Sequence, residues 1–406
     1  MEQKKWDLIA LASIPLVMTL GNSMLIPVLP IIEKEINISP FQSSLIITVY
    51  SVVAIVLIPI AGYLSDKLGR KKVIIPSLII VGVGGTISAF AAWKMAEPYL
   101  LILAGRFLQG IGAAGAFPVV IPTVGDMYKE EEQVSAGLGL IETSNTFGKV
   151  LSPVLGAVLA VFLWFIPFAA IPLLSLIAIV LVWKFVKVPK EKPEDEEKSF
   201  SQFKASIKEV FHHNGKWLMA IFFIGCINMF VLFGFLFHLS ALLESKYAIE
   251  GANKGLVLAI PLLFLCAASY FSGKKIGENK MLMKWAVIIG NGGAASTLVF
   301  IKNETGLVML LLLLSVAGLG IGLSLPSLDA LITEGIEKDV RGTVTSLYSS
   351  MRFVGVAAGP PIIAILMERY PAGLYLSLAL LSGMAVIVTL FMIKPSNEKP
   401  EVQLEH

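Results

Sequence analysis

The chain has 406 residues, of which 56% are hydrophobic and only 15% are charged. Soluble domains carry about 25% charged residues, so this deficit indicates a protein that faces lipid. With a net charge of +3 and no Lys/Arg-rich stretch with interleaved aromatics we expect no nucleic-acid partner, and Cys226 and Cys266 are too few to hold a metal ion.

The first predicted element is an apolar run near residues 8–32. It is longer than the apolar core of a signal peptide, and no small-residue cleavage motif follows it, so we interpret it as a membrane-spanning helix. A span needs ~20 apolar residues, and further runs of this kind follow along the chain. The remaining candidate spans fall near 42–63, 73–94, 99–122, 135–159, 164–186, 217–242, 254–272, 282–302, 307–332, 342–367 and 373–394.

A polar break at residues 187–216 divides the twelve spans into two sets of six. Its first part is charged and contains proline, which predicts a solvated linker. Apolar residues at helical spacing between Phe200 and Phe211 predict a short amphipathic helix on the membrane surface. We expect an N-terminal bundle at 1–187, a cytoplasmic linker at 188–216 and a C-terminal bundle at 217–406, whose last three residues resemble an expression-tag remnant.

The basic residues of the short loops predict the orientation of the chain. If the N-terminus is cytoplasmic, the cytoplasmic loops hold eleven Lys or Arg residues and the outer loops hold six. We therefore predict that both termini are cytoplasmic. The six outer residues are Lys34, Lys94, Lys246, Lys254, Lys302 and Arg369.

Three matched pairs of segments indicate an internal duplication, each joining spans six apart. The pairs are 63–69 with 270–276, 110–118 with 318–326 and 148–153 with 355–360, at offsets of 207, 208 and 207. The predicted fold class is an all-α integral membrane protein. Its twelve transmembrane helices form two pseudo-repeated six-helix bundles around a central cavity, where transporters of this architecture place their substrate.

The loop after the second span resembles a signature of the major facilitator superfamily. The sequence 62-GYLSDKLGRKK-72 matches that family's pattern G-x-x-x-D-x-x-G-R-[KR]-[KR] at every fixed position. Gly62 and Gly69 permit a close approach of helices and a tight turn. The resemblance extends over essentially the whole chain, although its specific motifs are concentrated in the N-terminal half.

The resemblance also implies a conformational latch at this loop. Asp66 and Arg70 are four residues apart and can interact with each other and with neighbouring helix ends. In the family's pattern, Asp66 would lie near Arg341 and Arg70 would reach Asp126. Such a latch would hold the outward-facing state and be broken in the inward-facing state.

Motifs inside the spans resemble those of twelve-helix drug:proton antiporters. The run 106-RFLQGIGAAG-115 is similar to the pattern R-x-x-x-G-x-G-A-A of proton-coupled members, and a buried Arg106 must find a partner or water. Asn22 joins it as a candidate cavity residue, because family helices 1 and 4 both line the cavity. The fifth span loosely matches an antiporter ending, G-P-x-x-G-G, with small replacements that preserve close packing. The predicted packing residues are Gly148, Ser152, Pro153, Gly156, Gly359 and Pro360.

Three polar residues of the fifth span, Glu142, Asn145 and Lys149, lie on one helical stripe. Glu142 and Lys149 are separated by ~10 Å of rise, too far for a simple ion pair. Charges in hydrocarbon are costly and usually mark a transport pathway. We therefore predict that Glu142 exchanges protons, and that Asn145, Lys149 and Arg352 of the eleventh span shape the substrate site. The alternative is that these charges form structural pairs that fix helix register.

Three further polar residues are assigned from their positions in the spans. His238 is a second candidate for proton coupling, with packing against neighbouring helices as the alternative. Asn228 is placed with the cavity residues. Asp329 is close to the cytoplasmic end of the tenth span, so we expect it to extend toward solvent or to cap the helix.

The predicted function is proton-coupled export of small amphiphilic molecules by alternating access across a bacterial plasma membrane. Buried cations beside one acid favour an anionic or zwitterionic cargo such as a siderophore; lipid flipping and uptake are the remaining alternatives. The motifs HExxH, GxxxxGK[ST] and GxSxG are missing, so we predict no catalytic residue, metal site or cofactor. The expected partners are the cargo, protons and the lipid bilayer, and we expect a monomer driven by the proton gradient.

Overall fold

The computed structural model describes residues 2–128, 131–186, 200–275, 279–302, 304–336 and 338–394. Regular structure in these residues is helical, with thirteen α-helices and two short 3₁₀ turns at Ile26–Val28 and Pro371–Gly373. The α-helices are α1 Glu2–Ser23, α2 Leu29–Glu35, α3 Pro40–Leu68, α4 Arg70–Lys94, α5 Tyr99–Met127, α6 Glu131–Phe162, α7 Ile166–Phe185, α8 Phe200–Ser245, α9 Gly251–Lys275, α10 Lys280–Val299, α11 Leu307–Gly335, α12 Lys338–Arg369 and α13 Leu374–Met392.

Eleven segments of the described chain are long and apolar enough to cross a membrane. The first runs from Trp6 to Glu35 through α1, a 3₁₀ turn and α2, because Pro27 and Pro30 interrupt regular helical hydrogen bonding. The predicted span at 282–302 corresponds to α10, which is helical but less apolar, since its 20 residues include lysines and an asparagine. It packs between α11 and α13, in the position of a span.

The helices pack as two bundles. In the first bundle, α4 packs on α5 and α7, α3 on α5, and α1 on α6 and α7. In the second, α12 and α13 pack on α8, α11 packs on α9 and α10, and α10 packs on α13. The two bundles meet mainly where α3 faces α12 and α6 faces α9.

The amphipathic segment predicted on the membrane surface is part of α8. This helix is continuous over 46 residues from Phe200 to Ser245, so the surface segment and the seventh span form one helix and not two. Residues 200–214 contain no proline, and Gly215 alone does not interrupt the helix. The charged linker at 187–199 lies outside the described residues.

Twelve crossings bring both ends of the chain to one face of the molecule, which we call the terminal side; the opposite face is the far side. The far side is closed where Ser240 Oγ of α8 donates a hydrogen bond to the Ile26 carbonyl at 3.0 Å. Toward the middle of the molecule, a gap between the bundles is lined by residues of both.

Candidate functional site

The polar stripe of α6 lies about halfway along that helix. Asn145 Nδ2 lies 3.2 Å from each carboxylate oxygen of Glu142, and Thr19 Oγ1 of α1 donates to Asn145 Oδ1 at 2.7 Å. Asn145 is buried, whereas Glu142 is half-buried. Glu142 is thus positioned through Asn145 by a contact between α1 and α6, and its carboxylate keeps access to the gap between the bundles.

Lys149 is a buried cation with unusual surroundings. It lines a narrow cavity with Ser23 and Pro153 of the first bundle, and apolar side chains of α8 and α9 complete the wall. Only 8% of the residue is exposed, and within the described part of the chain no hydrogen-bond or ion-pair acceptor lies in reach of its ammonium group. A buried ammonium without an acceptor is costly, so this position favours an anionic ligand group.

Arg352 of α12 faces the α6 stripe from the second bundle. Its Nη1 lies 3.6 Å from Asp329 Oδ1 of α11, and its guanidinium lies over the Tyr348 ring at 5.6 Å. The expectation that Asp329 extends toward solvent or caps α11 is wrong, because its carboxylate turns inward to the arginine. Its side chain remains 35% exposed.

Glu142, Lys149, Asp329 and Arg352 interact electrostatically across the gap, so they form one group, which we call the central charge cluster. It contains two acids and two bases. Glu142, Lys149 and Arg352 are predicted from the sequence as functional residues, whereas Asp329 is not. A charge six residues before the end of α11 is ambiguous, since it can reach either solvent or the bundle interface.

Arg106, predicted to line the substrate cavity, is sealed inside the first bundle. It is fully buried; Nε donates to the Ile46 carbonyl at 2.7 Å and Nη1 to Gln109 Oε1 at 2.5 Å. Nη2 donates to Asn22 Oδ1, and Nη1 also reaches the Gly21 carbonyl at 3.1 Å. These neutral acceptors join α1, α3 and α5 around the guanidinium, so in this conformation Arg106 and Asn22 do not meet the central charge cluster.

Asn228 and His238 make their hydrogen bonds inside the second bundle. Asn228 Nδ2 donates to Ser324 Oγ of α11 at 2.9 Å. His238 Nδ1 lies 2.8 Å from the Tyr375 hydroxyl of α13. The structure brings neither residue together with Glu142 or Lys149.

The signature loop forms the turn that its glycines predict. Gly69 has φ of +96°, a backbone conformation that favours glycine, and it separates α3 from α4. Arg70 Nε lies 2.7 Å from Asp126 Oδ2, so the contact that the resemblance implies is present. The Cβ position of Gly62 lies 3.5 Å from Ser346 Oγ of α12. The side chains of Asp66 and Arg341 lie outside the described part of the structure.

Small residues bring α6 against α1. A side chain at Gly148 would press on Thr19, and one at Gly156 would meet the backbone of Met24. Ser152, which replaces a glycine of the antiporter ending, is fully buried and donates to the Gly148 carbonyl at 2.6 Å.

The second bundle repeats this contact between α12 and α8. A side chain at Gly359 would meet the backbone of Phe230, and the adjacent Pro360 is buried. Pro153 has a different neighbour from Gly148 and Gly156, because its carbonyl faces Gly255 of α9 across the bundle interface. Pro153 therefore contributes to packing between the bundles.

The fold and this cluster define a membrane transporter built from two related bundles. The Major Facilitator Superfamily family model matches residues 11–360 and 283–406, and the chain belongs to that family. It is a transporter and not an enzyme.

Two sequence relatives and one solved structure are similar to this chain over most of its length. The chain is 52% identical to the "Bacillibactin exporter" of Bacillus subtilis (strain 168), over 98% of this chain and 99% of the relative. It is 26% identical to the "Tetracycline resistance protein, class E" of Escherichia coli, over 86% of this chain and 84% of the relative. The fold is shared with the human organic anion transporter MFSD10 (TETRAN), at a TM-score of 0.74 and 17% identity, over 95% and 99% of the two chains.

Proposed function

We propose that this protein exports a siderophore such as bacillibactin in exchange for protons. The observation that carries the proposal is the 52% identity with a bacillibactin exporter along essentially the full length of both chains. At this level of identity, the residues that face the transport pathway are expected to serve similar cargo. The proton gradient supplies the energy, without a cofactor.

The central charge cluster supports an anionic or zwitterionic cargo. Lys149 lacks an acceptor among the described residues, and the 3.6 Å separation of Arg352 from Asp329 is longer than a normal charged hydrogen bond. An acidic group of the cargo therefore gains a partner at Lys149 and competes with Asp329 for Arg352. The apolar wall of α8 and α9 accommodates the rest of an amphiphilic molecule.

Exchange for protons follows if cargo and proton compete for Glu142. A deprotonated carboxylate only accepts hydrogen bonds, and a protonated one also donates. A cargo that donates a hydroxyl or amide hydrogen bond to Glu142 is held more strongly by the charged carboxylate than by the neutral acid, so proton binding weakens cargo binding. Asn145 holds the carboxylate in place during this exchange. His238 remains a second proton candidate, at a distance from the cluster.

The orientation predicted from loop charges makes the terminal side cytoplasmic. Asp66, Arg70, Asp126 and Arg341 would latch this side when the protein turns outward. We propose that the monomer is the transporting unit.

Multidrug efflux is the second candidate function. Its support is the similarity to a tetracycline resistance protein and, at 24% identity, to multidrug resistance protein 1 of Bacillus subtilis. A broad-specificity exporter would accept lipophilic cations, which the two bases of the central charge cluster, Lys149 and Arg352, disfavour.

The test is transport by the purified protein in proteoliposomes under an imposed pH gradient. We expect uphill movement of bacillibactin and at least tenfold slower movement of a lipophilic cationic dye. Glu142→Gln should abolish proton-driven movement and retain exchange of labelled for unlabelled bacillibactin. The matched control is Glu368→Gln, an exposed acid at the far end of α12.

Each outcome of this experiment has a definite meaning. Dye transport that equals bacillibactin transport would favour multidrug efflux. Uphill transport by the Glu142→Gln protein would remove Glu142 from the proton pathway. Movement of bacillibactin in the same direction as protons would show that the protein is an uptake symporter and not an exporter.

A further inference from the structure

A second group of charges lies at the far side, remote from the central charge cluster. Lys254 Nζ of α9 lies 2.9 Å from Glu244 Oε2 at the end of α8, and the two side chains are only 1% and 4% exposed. Lys34 of α2 pairs with the other carboxylate oxygen, Oε1. The neighbouring Glu33 accepts a hydrogen bond from Ser43 of α3.

These charges bridge the two bundles. Lys34 belongs to the first bundle, whereas Glu244 and Lys254 both belong to the second. The hydrogen bond from Ser240 to the Ile26 carbonyl crosses the same boundary one helical turn away along α8. The far-side ends of α2 and α8 are therefore joined by an ion pair and a hydrogen bond.

We propose that Lys34 and Glu244 form an ion-pair gate that closes the far side of the transporter. Transport by alternating access requires this side to open, and opening moves α2 away from α8. The contact between Lys34 and Glu244 has to break in every cycle, whereas the contact between Glu244 and Lys254 stays within one bundle.

The second lysine makes the gate reversible. A buried carboxylate left without a partner is strongly destabilising, which would prevent opening. Glu244 keeps Lys254 when Lys34 departs, and Lys34, whose side chain is already 67% exposed, gains only water. The gate thus resists opening by the strength of a single exposed ion pair, a contribution small enough to be overcome in each cycle.

This assignment needs alternating access but neither a particular cargo nor proton coupling. Its experiment can therefore be done without substrate and without a pH gradient, so it fails or succeeds independently of the proposed function. The readout is access from the far side to the closed cavity that contains Ser23.

The experiment measures labelling of Ser23→Cys by a membrane-impermeant thiol reagent added to intact cells. Cys226 and Cys266 are first replaced by alanine so that Ser23→Cys is the only reactive position. Lys34→Gln should raise the labelling rate about threefold to tenfold, because the far side opens more often. This variant leaves the buried pair of Glu244 and Lys254 intact, so folding is preserved. Lys302→Gln, an exposed far-side control, should label like the parent.

Ionic strength separates a gate from a passive contact. The parent labelling rate should rise between roughly 10 mM and 1 M salt, because salt screens an exposed ion pair. The Lys34→Gln rate should not respond. In a double-mutant cycle, Lys34→Gln should add less on a Glu244→Gln background than on the parent. Equal labelling of the parent and Lys34→Gln, at low and high salt, would overturn the proposal.

Discussion

The far-side charges and the central charge cluster differ in how tightly they are paired. At the far side, Glu244 contacts a lysine with each carboxylate oxygen, and its contact with Lys254 is 2.9 Å long and almost fully buried. In the middle of the membrane, the contact of Arg352 with Asp329 is 3.6 Å long, and Lys149 lacks an acceptor in the described structure. Both groups connect the two bundles.

We infer from this difference that each region has the tightness of charge pairing that its function requires. A region that holds the bundles together benefits from short contacts that satisfy every charge. A region that must receive cargo and protons needs charges that exchange partners readily, and loosely paired groups do so at low cost. This difference is consistent with the proposals that the loosely paired group is the transport site and the tightly paired group closes the far side.

The largest expected effect comes from breaking the tight pairing at Lys254. Lys254→Gln leaves the largely exposed Lys34 as the remaining charged partner of Glu244, and losing the buried partner costs up to about 3 kcal/mol. We expect the melting temperature of the purified protein to fall on the order of 5 °C. Lys302→Gln, an exposed lysine on the same side, should shift it by less than about 1 °C. A Lys254→Gln protein as stable as the parent would show that the far-side pairing adds little.

The next effect comes from the loosely paired group, where function should suffer and stability should not. Lys149→Gln removes the proposed partner of the cargo, so bacillibactin export should fall at least tenfold, a loss of about 1.4 kcal/mol. The melting temperature should stay constant or rise, because a buried charge without an acceptor is removed. Lys216→Gln, an exposed lysine of α8, is the matched control. A large loss of stability in Lys149→Gln would favour the structural interpretation of this lysine.

The sequence predicted those parts of the structure that follow from local pattern and repetition. Apolar runs of about 20 residues located the spans, because each run must satisfy its backbone polar groups as a helix. The glycines predicted to allow close packing lie where α6 meets α1 and α12 meets α8, although the sequence did not identify these partner helices. The contact of Arg70 with Asp126 was implied by the resemblance of the signature loop to the family pattern, and it is present in the structure.

The partners of charged residues near helix ends were not predictable from the sequence. Lys34 and Lys254 are counted as loop charges in the prediction of orientation, yet both contact Glu244. Hydropathy reports the depth of a residue, whereas the direction of its side chain depends on how the bundles pack. A usable signal was present for one pair, since Glu244 ends α8 and Lys254 begins α9 after a short connection.

A smaller effect should come from separating the loose pair of Asp329 and Arg352. In a double-mutant cycle of Asp329→Asn and Arg352→Gln, we expect a coupling energy of at most ~1 kcal/mol in unfolding free energy. The contact is long and Asp329 is partly exposed, so each partner loses little when the other is removed. The same cycle on Glu244 and Lys254 should give a larger coupling. Equal couplings would contradict the distinction between holding and exchanging charges.

The smallest expected effect on stability is that of the Tyr348 hydroxyl, a single polar atom beside the central charge cluster. This oxygen is buried beside Asp329 and Arg352 and lacks a hydrogen-bond partner within the described structure. Tyr348→Phe should change the unfolding free energy by less than ~0.5 kcal/mol or raise it slightly, because an unsatisfied polar group is removed. If the hydroxyl forms a hydrogen bond with the cargo, Tyr348→Phe should lower bacillibactin export severalfold while the melting temperature stays constant. Tyr270→Phe, an exposed tyrosine of α9, controls for the change of residue type, and unchanged export by Tyr348→Phe would leave cargo recognition to the charges alone.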